Sequence, residues 1–278
     1  MVSNNDPDLY PPISFIGGGN MAQAIIGGLI RRGMPADLLD VVEPFAPARE
    51  QLQSQFGIVA QAQAGPGLAR AGMIVWAVKP QTFKEAASQV RAHTANALHL
   101  SVAAGIRTSS IAAWLGTQKI VRAMPNTPAL VGHGISALYA LATVTPENRD
   151  LVERVIATTG KFLWVGEEAQ LDAVTALSGS GPAYVFFFLE AMRQAGTEMG
   201  LTPQQAYELS VETFAGTCEL ARASADSPEV LRQRVTSTGG TTHAAITSME
   251  KDDVKARFMR ALHAAQRRAR ELGDEFGA

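Results

Sequence analysis

A short strand-like run, Ile13-Ser14-Phe15-Ile16, passes directly into Gly17-Gly18-Gly19-Asn20-Met21-Ala22 and then into a helical pattern with Ile25, Ile26, Leu29 and Ile30 on one face. No other feature constrains the fold as strongly. A strand that turns at once into a helix needs glycine where φ is positive or where main chain must approach a ligand closely. The spacing matches G-x-G-x-x-A: Gly17 for the tight turn, Gly19 for the approach of a pyrophosphate, Ala22 for close packing of helix on strand. Asn20 and Met21 open the helix, whose N-terminal N–H groups and dipole favour phosphate. An ordinary strand-to-helix turn is the alternative reading of these residues.

The rest of the chain supplies the context that a dinucleotide site requires. Apolar runs at residues 13–16, 38–42, 73–78, 98–102, 120–123, 135–141 and 162–165 alternate with amphipathic segments. That alternation predicts a parallel sheet with crossover helices. Past Gly166 the β-branched runs stop, and helical pattern continues with breaks at residues 178–182, 200–203, 227–228 and 236–241. Pro182, Pro203 and Pro228 fall where proline suits a first helical turn. The expected fold is α/β: a Rossmann-like doubly wound sheet over residues 1–167, followed without a linker by an all-α domain over residues 168–278. The helix beginning at Pro182 carries Tyr184, Val185, Phe186, Phe187, Phe188, Leu189 and Met192 around its circumference. A helix apolar on every side needs cover on every side, and a second copy of the chain is the expected source of part of it.

Bulk properties remove several classes of function. The 278 residues suffice for two cores, and a net charge of −2 with a pI near 6.2 calls for neither nucleic acid nor an anionic membrane. The single cysteine, Cys218, has no disulfide partner and reads as a buried thiol on an apolar helix face. Residues 1–8 lack the basic-then-apolar pattern of a secretory signal, and no apolar run approaches the roughly 18 to 20 residues that span a bilayer, so the expected location is cytoplasmic. His93, His99, His133, His243 and His263 show no ligand spacing, and no metal is expected. His243 reads as an exposed first-turn residue, and Arg267-Arg268-Ala269-Arg270 as a solvated helical face.

In an open parallel sheet ligands bind outside the carboxyl ends of the strands. Glu43 ends the second strand, where an acidic side chain would hold the adenosine ribose hydroxyls and repel a 2'-phosphate. That tilts the choice between NADH and NADPH towards NADH, although Arg49 on the next helix is placed to reach a phosphate. Ala77-Val78-Lys79-Pro80 follows the third strand and sets a lysine on the same edge, and small residues around Ala104 leave room for a nicotinamide. Met124-Pro125-Asn126-Thr127-Pro128 takes the next edge position. For Glu43 and Lys79, a solvated strand end or turn is the plain alternative.

Taken together and in order, these motifs resemble the pyrroline-5-carboxylate reductase family. The resemblance covers residues 12–272 and is carried by the glycine turn, Ala77-Val78-Lys79-Pro80, Arg122-Ala123-Met124-Pro125-Asn126-Thr127-Pro128, Ser178-Gly179-Ser180-Gly181-Pro182-Ala183-Tyr184 and Val235-Thr236-Ser237-Thr238-Gly239-Gly240-Thr241-Thr242. It implies hydride transfer from NAD(P)H to the cyclic imine 1-pyrroline-5-carboxylate, giving L-proline in the last step of proline biosynthesis. It also implies dimerisation through the helical domain, with dimers commonly closing into rings of five. Carried across residue by residue, Ser237, Gly240, Thr241 and Thr242 hold the substrate carboxylate, and the Thr242 hydroxyl also meets the imine nitrogen.

The second-domain motifs agree with that chemistry on their own terms. Residues 236–242 place hydroxyls and glycines just before a helix, where N–H groups and the dipole favour a small anion. A simple helix cap is the competing reading. Neither second-domain motif contains His, Asp, Glu or Lys, so a general acid is missing. An imine that enters protonated needs mainly orientation. The family's usual proline is replaced by Thr238, which puts substrate affinity in question. The loop at residues 178–182 reads as a second helix start; the resemblance implies that it supports the cofactor's reactive end, and a purely structural cap is the competing reading. Other readings of the whole chain are another small imine or β-hydroxy-acid dehydrogenase, or a non-catalytic dinucleotide-sensing module; the former commonly uses a second-domain lysine, and none lies between Lys161 and Lys251.

Overall fold

The computed structural model describes residues 10–277; the segment at residues 1–8, expected to carry no secretory signal, lies outside them. The chain divides into two compact units, one comprising residues 1–180 with 265–278 and the other residues 181–264.

The first unit is built on a seven-stranded sheet: β1 (Ile13–Ile16), β2 (Leu39–Val42), β3 (Met73–Trp76), β4 (Leu98–Ser101), β5 (Ile120–Met124), β6 (Gly134–Ala140) and β7 (Gly160–Trp164). Each coincides with one of the seven apolar runs to within a few residues at its ends. The spatial order is β2-β1-β3-β4-β5-β6-β7, so the direction of winding reverses at β1. Strands β1 to β5 are parallel, whereas β6 runs antiparallel to β5, and β7 pairs parallel to β6. The reversal follows from chain length. Only a short 3-10 turn, Thr127–Val131, joins β5 to β6, and a parallel return needs a crossover of a dozen or more residues.

Helices α1 (Asn20–Arg31), α2 (Ala46–Phe56), α3 (Pro80–Val90), α4 (Thr108–Leu115) and α5 (Pro146–Ile156) supply the connections. Alternate residues of a central strand enter different cores. Met73 and Val75 of β3 join Ile25, Leu29 and Val152, while Ile74 and Trp76 join Phe83, Ile106 and Ile111. A strand buried on both faces reads as an unbroken apolar run, which is why β3 was visible in the sequence.

The division at residues 180 and 181 differs from the sequence expectation of 167 and 168. The end of the β-branched runs does mark the end of the sheet, but the next helix still packs on it. Helix α6 (Gln170–Val174) and the π-helical turn Thr175–Gly179 bury Leu171 and Ala176. Of the loop expected at residues 178–182, Ser178 and Gly179 close that π turn, with the Ser178 hydroxyl donating back to the Val174 carbonyl at 3.1 Å, Ser180 forms a bend, and Gly181 and Pro182 already begin the next helix.

The second unit contains α7 (Gly181–Glu198), α8 (Pro203–Ala223), α9 (Pro228–Arg234), α10 (Thr241–Lys251) and the first part of α11 (Val254–Phe276). Pro203 and Pro228 begin their helices, capped by the Thr202 and Ser227 side chains, as the proline positions predicted. A further break, absent from the sequence reading, separates α10 from α11, where Asp253 adopts a φ of 54°. Within the unit Phe258 makes edge-on ring contacts with Tyr184 and Phe188. Phe186 and Phe187 remain 61% and 66% exposed in the single chain. Cys218 is exposed as well, contrary to expectation, because α8 buries only Ala206 and Ser210 among its residues. Among the described residues no helix is long and apolar enough to cross a membrane.

Candidate active site

Outside the carboxyl ends of β1, β2 and β3, where the winding reverses, lies a cleft of about 650 Å³ lined in part by Gly17, Gly19, Glu43, Ala77, Val78 and Lys79. The two outer glycines of the turn do different work. Gly17 has a φ of +95°, and a Cβ there would lie 2.6 Å from the Ala77 carbonyl oxygen. Only glycine fits against the β3–α3 connection. Gly19 caps α1 with an ordinary φ of −71°, and a Cβ there would meet nothing within 4 Å. Its role is to leave the cleft open at the start of α1, where Asn20 and Met21 carry N–H groups without intrahelical acceptors. Ala22 is fully buried beneath them.

Glu43 clamps this turn. Its carboxylate accepts from Gly18 N and from Phe45 N, both at 2.8 Å. Arg49 donates to the Glu43 and Pro44 carbonyls at 2.9 and 2.7 Å, so its guanidinium is held beside the same strand end. Lys79 is exposed and caps α3, with Pro80 as the first helical residue and Thr82 donating to the Lys79 carbonyl. Ala104 and Asn126 lie further along the same sheet edge, past the ends of β4 and β5 and off the lining of the cleft. The Asn126 carboxamide oxygen accepts from Ile135 N at 3.0 Å, which fixes the orientation of its amide group.

In the second unit, residues 236–242 form the turn into α10. Gly239 has a φ of +76°, and Gly240 is the N-cap with no side chain capping the helix. The first-turn N–H groups of Thr241 and Thr242 therefore remain available, with the dipole behind them. Gly240 plays another part. Its N–H already donates to the Ser237 carbonyl at 3.1 Å, and a Cβ there would lie 2.7 Å from the Ser237 hydroxyl. Glycine at this position lets Ser237 fold back beside the helix start. His243 is exposed, and among the described residues no group of His, Cys, Asp and Glu is arranged to hold a metal.

Residues 168–272 match the family model described as pyrroline-5-carboxylate reductase dimerisation, and residues 12–105 match one described as NADP oxidoreductase, coenzyme F420-dependent. A pyrroline-5-carboxylate reductase from Pseudomonas aeruginosa is 41% identical over 269 residues, covering 96% of this chain and 98% of that protein. This chain belongs to the pyrroline-5-carboxylate reductase family. A plant member from Arabidopsis thaliana is 35% identical, covering 94% of this chain and 95% of its own length. The solved structure of the reductase from Coxiella burnetii superimposes with a TM-score of 0.86 at 37% identity, over 95% of this chain and 98% of that one. The Plasmodium falciparum enzyme, solved with NADP bound, gives 0.85 at 26% identity and the same coverage. The family makes this chain an NAD(P)-dependent oxidoreductase with a helical dimerisation domain.

Other polar groups of this reductase have no functional role assigned from its sequence. Arg122, buried in β5, pairs with Glu168 at 2.6 Å, and the same carboxylate takes both the N–H and the hydroxyl of Thr108 at 2.7 Å. Asp172 sits nearby with its pKa raised by burial, against the opposing pull of Arg122, Arg270 and Arg107. A buried arginine in a strand signals that a carboxylate partner exists, but not that it lies 46 residues away. His99 is buried between Trp76 and Thr94. Trp76 Nε1 donates to its Nδ1 at 3.0 Å, so Nε2 carries the proton that faces the Thr94 carbonyl, and burial pushes the ring's pKa down to about 4.

Proposed function

We propose that this chain reduces 1-pyrroline-5-carboxylate to L-proline, the last step of proline biosynthesis, with the dinucleotide held by the first unit and the substrate carboxylate by the turn into α10. Family membership supports the activity. The observation that carries the residue assignment is the contrast between Gly17, locked against Ala77, and Gly19, open to the cleft. That contrast suits a pyrophosphate at the N-terminus of α1. Gly17, Gly19, Asn20 and Met21 would cradle the phosphates, Glu43 the adenosine ribose, and Ala77, Val78, Lys79 and Pro80 the adjoining wall. Ala104 and Asn126 would flank the nicotinamide. When bound, NAD(P)H supplies the hydride.

The other residues bind and orient. Ser237, Thr241 and Thr242 offer hydroxyl and N–H donors to the carboxylate, and Gly240 makes room for Ser237. The Thr242 hydroxyl orients the imine nitrogen. A substrate that enters as the iminium already carries the proton that the product amine retains, so accepting the hydride at carbon completes the reduction without a residue of shifted pKa in this turn. Orientation alone is a large catalytic effect.

Glu43 supports a preference for NADH. Both its carboxylate oxygens accept from main-chain N–H groups, which holds the carboxylate at the strand end assigned to the adenosine ribose. The functional unit is a dimer formed through the helical domain, with α7 supplying the apolar face, and the resemblance extends this to a ring of five dimers. The cytoplasm is the proposed location.

The test compares NADH and NADPH oxidation with pyrroline-5-carboxylate and with hydroxy-acid and keto-acid controls. Turnover confined to the pyrroline, faster with NADH, is expected. Thr242→Val should lower kcat/KM at least tenfold, equivalent to about 1.4 kcal/mol, with folding intact. Wild-type kinetics in that variant would remove the role given to Thr242, and turnover of a hydroxy acid instead would overturn the substrate.

A further inference from the structure

The parallel pairing of β4 with β5 ends at Ser101 opposite Arg122. Beyond that rung no β4–β5 ladder sets the separation of the two loops that follow, one carrying Ala104 and the other Asn126. Glu168 ties Thr108, which ends the first of these loops, to Arg122, the β5 residue on that last rung from which the second loop departs. Its Oε1 accepts from Thr108 N at 2.7 Å and from Arg122 Nη1 at 2.6 Å, and its Oε2 accepts from the Thr108 hydroxyl at 2.7 Å. Thr108 opens α4 at the end of the Ala104 loop, and Arg122 lies in β5 just before Met124-Pro125-Asn126. Thr108 and Arg122 are buried, at 3% and 6% exposure, and the Glu168 side chain retains 23%, so these bonds are partly shielded from water.

The far end of α11 backs the same loop. Gly105, with φ +78°, is so close to this helix that a Cβ would lie 3.2 Å from the Leu272 Cβ; Arg107 pairs with Asp274, and the Ser110 hydroxyl donates to the Gly277 carbonyl. Among the described residues this packing restrains the Ala104 loop without a hydrogen bond or ion pair to the Asn126 loop. The Glu168 carboxylate joins the start of α4 to β5.

We propose that Glu168 is a positioning residue for hydride transfer, holding the Ala104 and Asn126 loops at the separation in which they receive the nicotinamide end of the dinucleotide. The inference rests on the reading of Ala104 and Asn126 as cofactor residues. A partly buried ion pair adds little stability compared with apolar packing of similar volume, so stability by itself gives weak reason for this arrangement. Fixing the geometry of two loops gives a stronger one.

The test uses Glu168→Ala and Glu168→Gln in the full-length enzyme, with Asn126→Ala in parallel. kcat, KM for NAD(P)H, KM for pyrroline-5-carboxylate and the thermal midpoint are measured for each. Glu168→Ala is expected to raise the dinucleotide KM and lower kcat, each at least fivefold, while the pyrroline KM stays within twofold. Glu168→Gln keeps an oxygen for Thr108 N and should recover most of that loss, which a purely structural charge pair would not predict. If Glu168→Ala does not fold, Glu168→Gln replaces it as the deciding variant: a dinucleotide KM nearer the wild-type value than the Asn126→Ala value supports the proposal, and one at or beyond it overturns it. Folded Glu168→Ala with unchanged dinucleotide kinetics, alongside impaired Asn126→Ala, overturns the positioning role alone. Wild-type dinucleotide kinetics in Asn126→Ala overturn the reading of the loops and the inference with it.

Discussion

Gly17→Ala and Gly19→Ala should fail in different ways, although the two residues are neighbours in one turn. At Gly17 an added methyl group meets two obstacles. A φ of +95° lies in the region L-residues avoid, at a cost of roughly 1–2 kcal/mol. A Cβ 2.6 Å from the Ala77 carbonyl oxygen also forces the β3–α3 connection to move, and overpacking of that kind costs about 1–3 kcal/mol. The smaller conformational freedom of the unfolded alanine chain offsets about 0.4–1 kcal/mol of this. The expected net loss is about 2–4 kcal/mol, centred on the first unit. At Gly19, with φ −71° and no atom within 4 Å of the added methyl, stability should change by less than about 1 kcal/mol. The methyl instead occupies the space assigned to the pyrophosphate, and the KM for NAD(P)H should rise at least tenfold. Urea unfolding followed by tryptophan fluorescence reports on the first unit, because Trp76, Trp114 and Trp164 all lie within it. A stable Gly17→Ala protein, or a Gly19→Ala protein that binds dinucleotide normally, would refute the division of labour.

Three further outcomes follow from the structure. Glu43→Gln keeps an acceptor for Gly18 N but removes the charge, so the ratio of kcat/KM with NADPH to that with NADH should rise at least fivefold; an unchanged ratio would dismiss Glu43 as the discriminator. His99 has a folded pKa of about 4 against 6.5 when unfolded, so between those values the unfolded chain binds more protons, and stability falls as the pH drops from 6.5 towards 4. That interval corresponds to a loss of about 3 kcal/mol, and His99→Gln should remove this component from the pH profile of the urea midpoint; an unaltered profile would refute it. Phe186→Ser combined with Phe187→Ser should weaken the dimer at least a hundredfold in sedimentation, since covering a phenylalanine contributes about 1.5–3 kcal/mol; an intact dimer would place the interface elsewhere.

The strands and most helix starts were legible because their causes are local. Apolar runs between turn residues specify β1 to β7, and the prolines at 203 and 228 sit where their missing N–H does no harm. The glycine turn was legible for the same reason: its geometry is a property of a few adjacent residues. The α10–α11 break was not, since an aspartate at positive φ carries a weaker sequence signal than glycine or proline. Cys218 was assigned to a buried face on helical periodicity, which identifies an apolar face without identifying what covers it.

By itself the sequence determined the α/β class, the glycine turn between β1 and α1, the helical second half and, through the order of its motifs, the family. Tertiary structure decided how those parts constrain one another. It showed that Gly17 is pinned by Ala77 while Gly19 faces open space, that Glu43 is bound into the turn it was expected to border, and that Glu168 joins Thr108 to Arg122. It also placed residues 168–180 and 265–277 with the sheet. The physical reason is range: hydrophobic period and turn preference act over a few residues, whereas hydrogen bonds and close packing act between groups that the chain brings together from anywhere along its length.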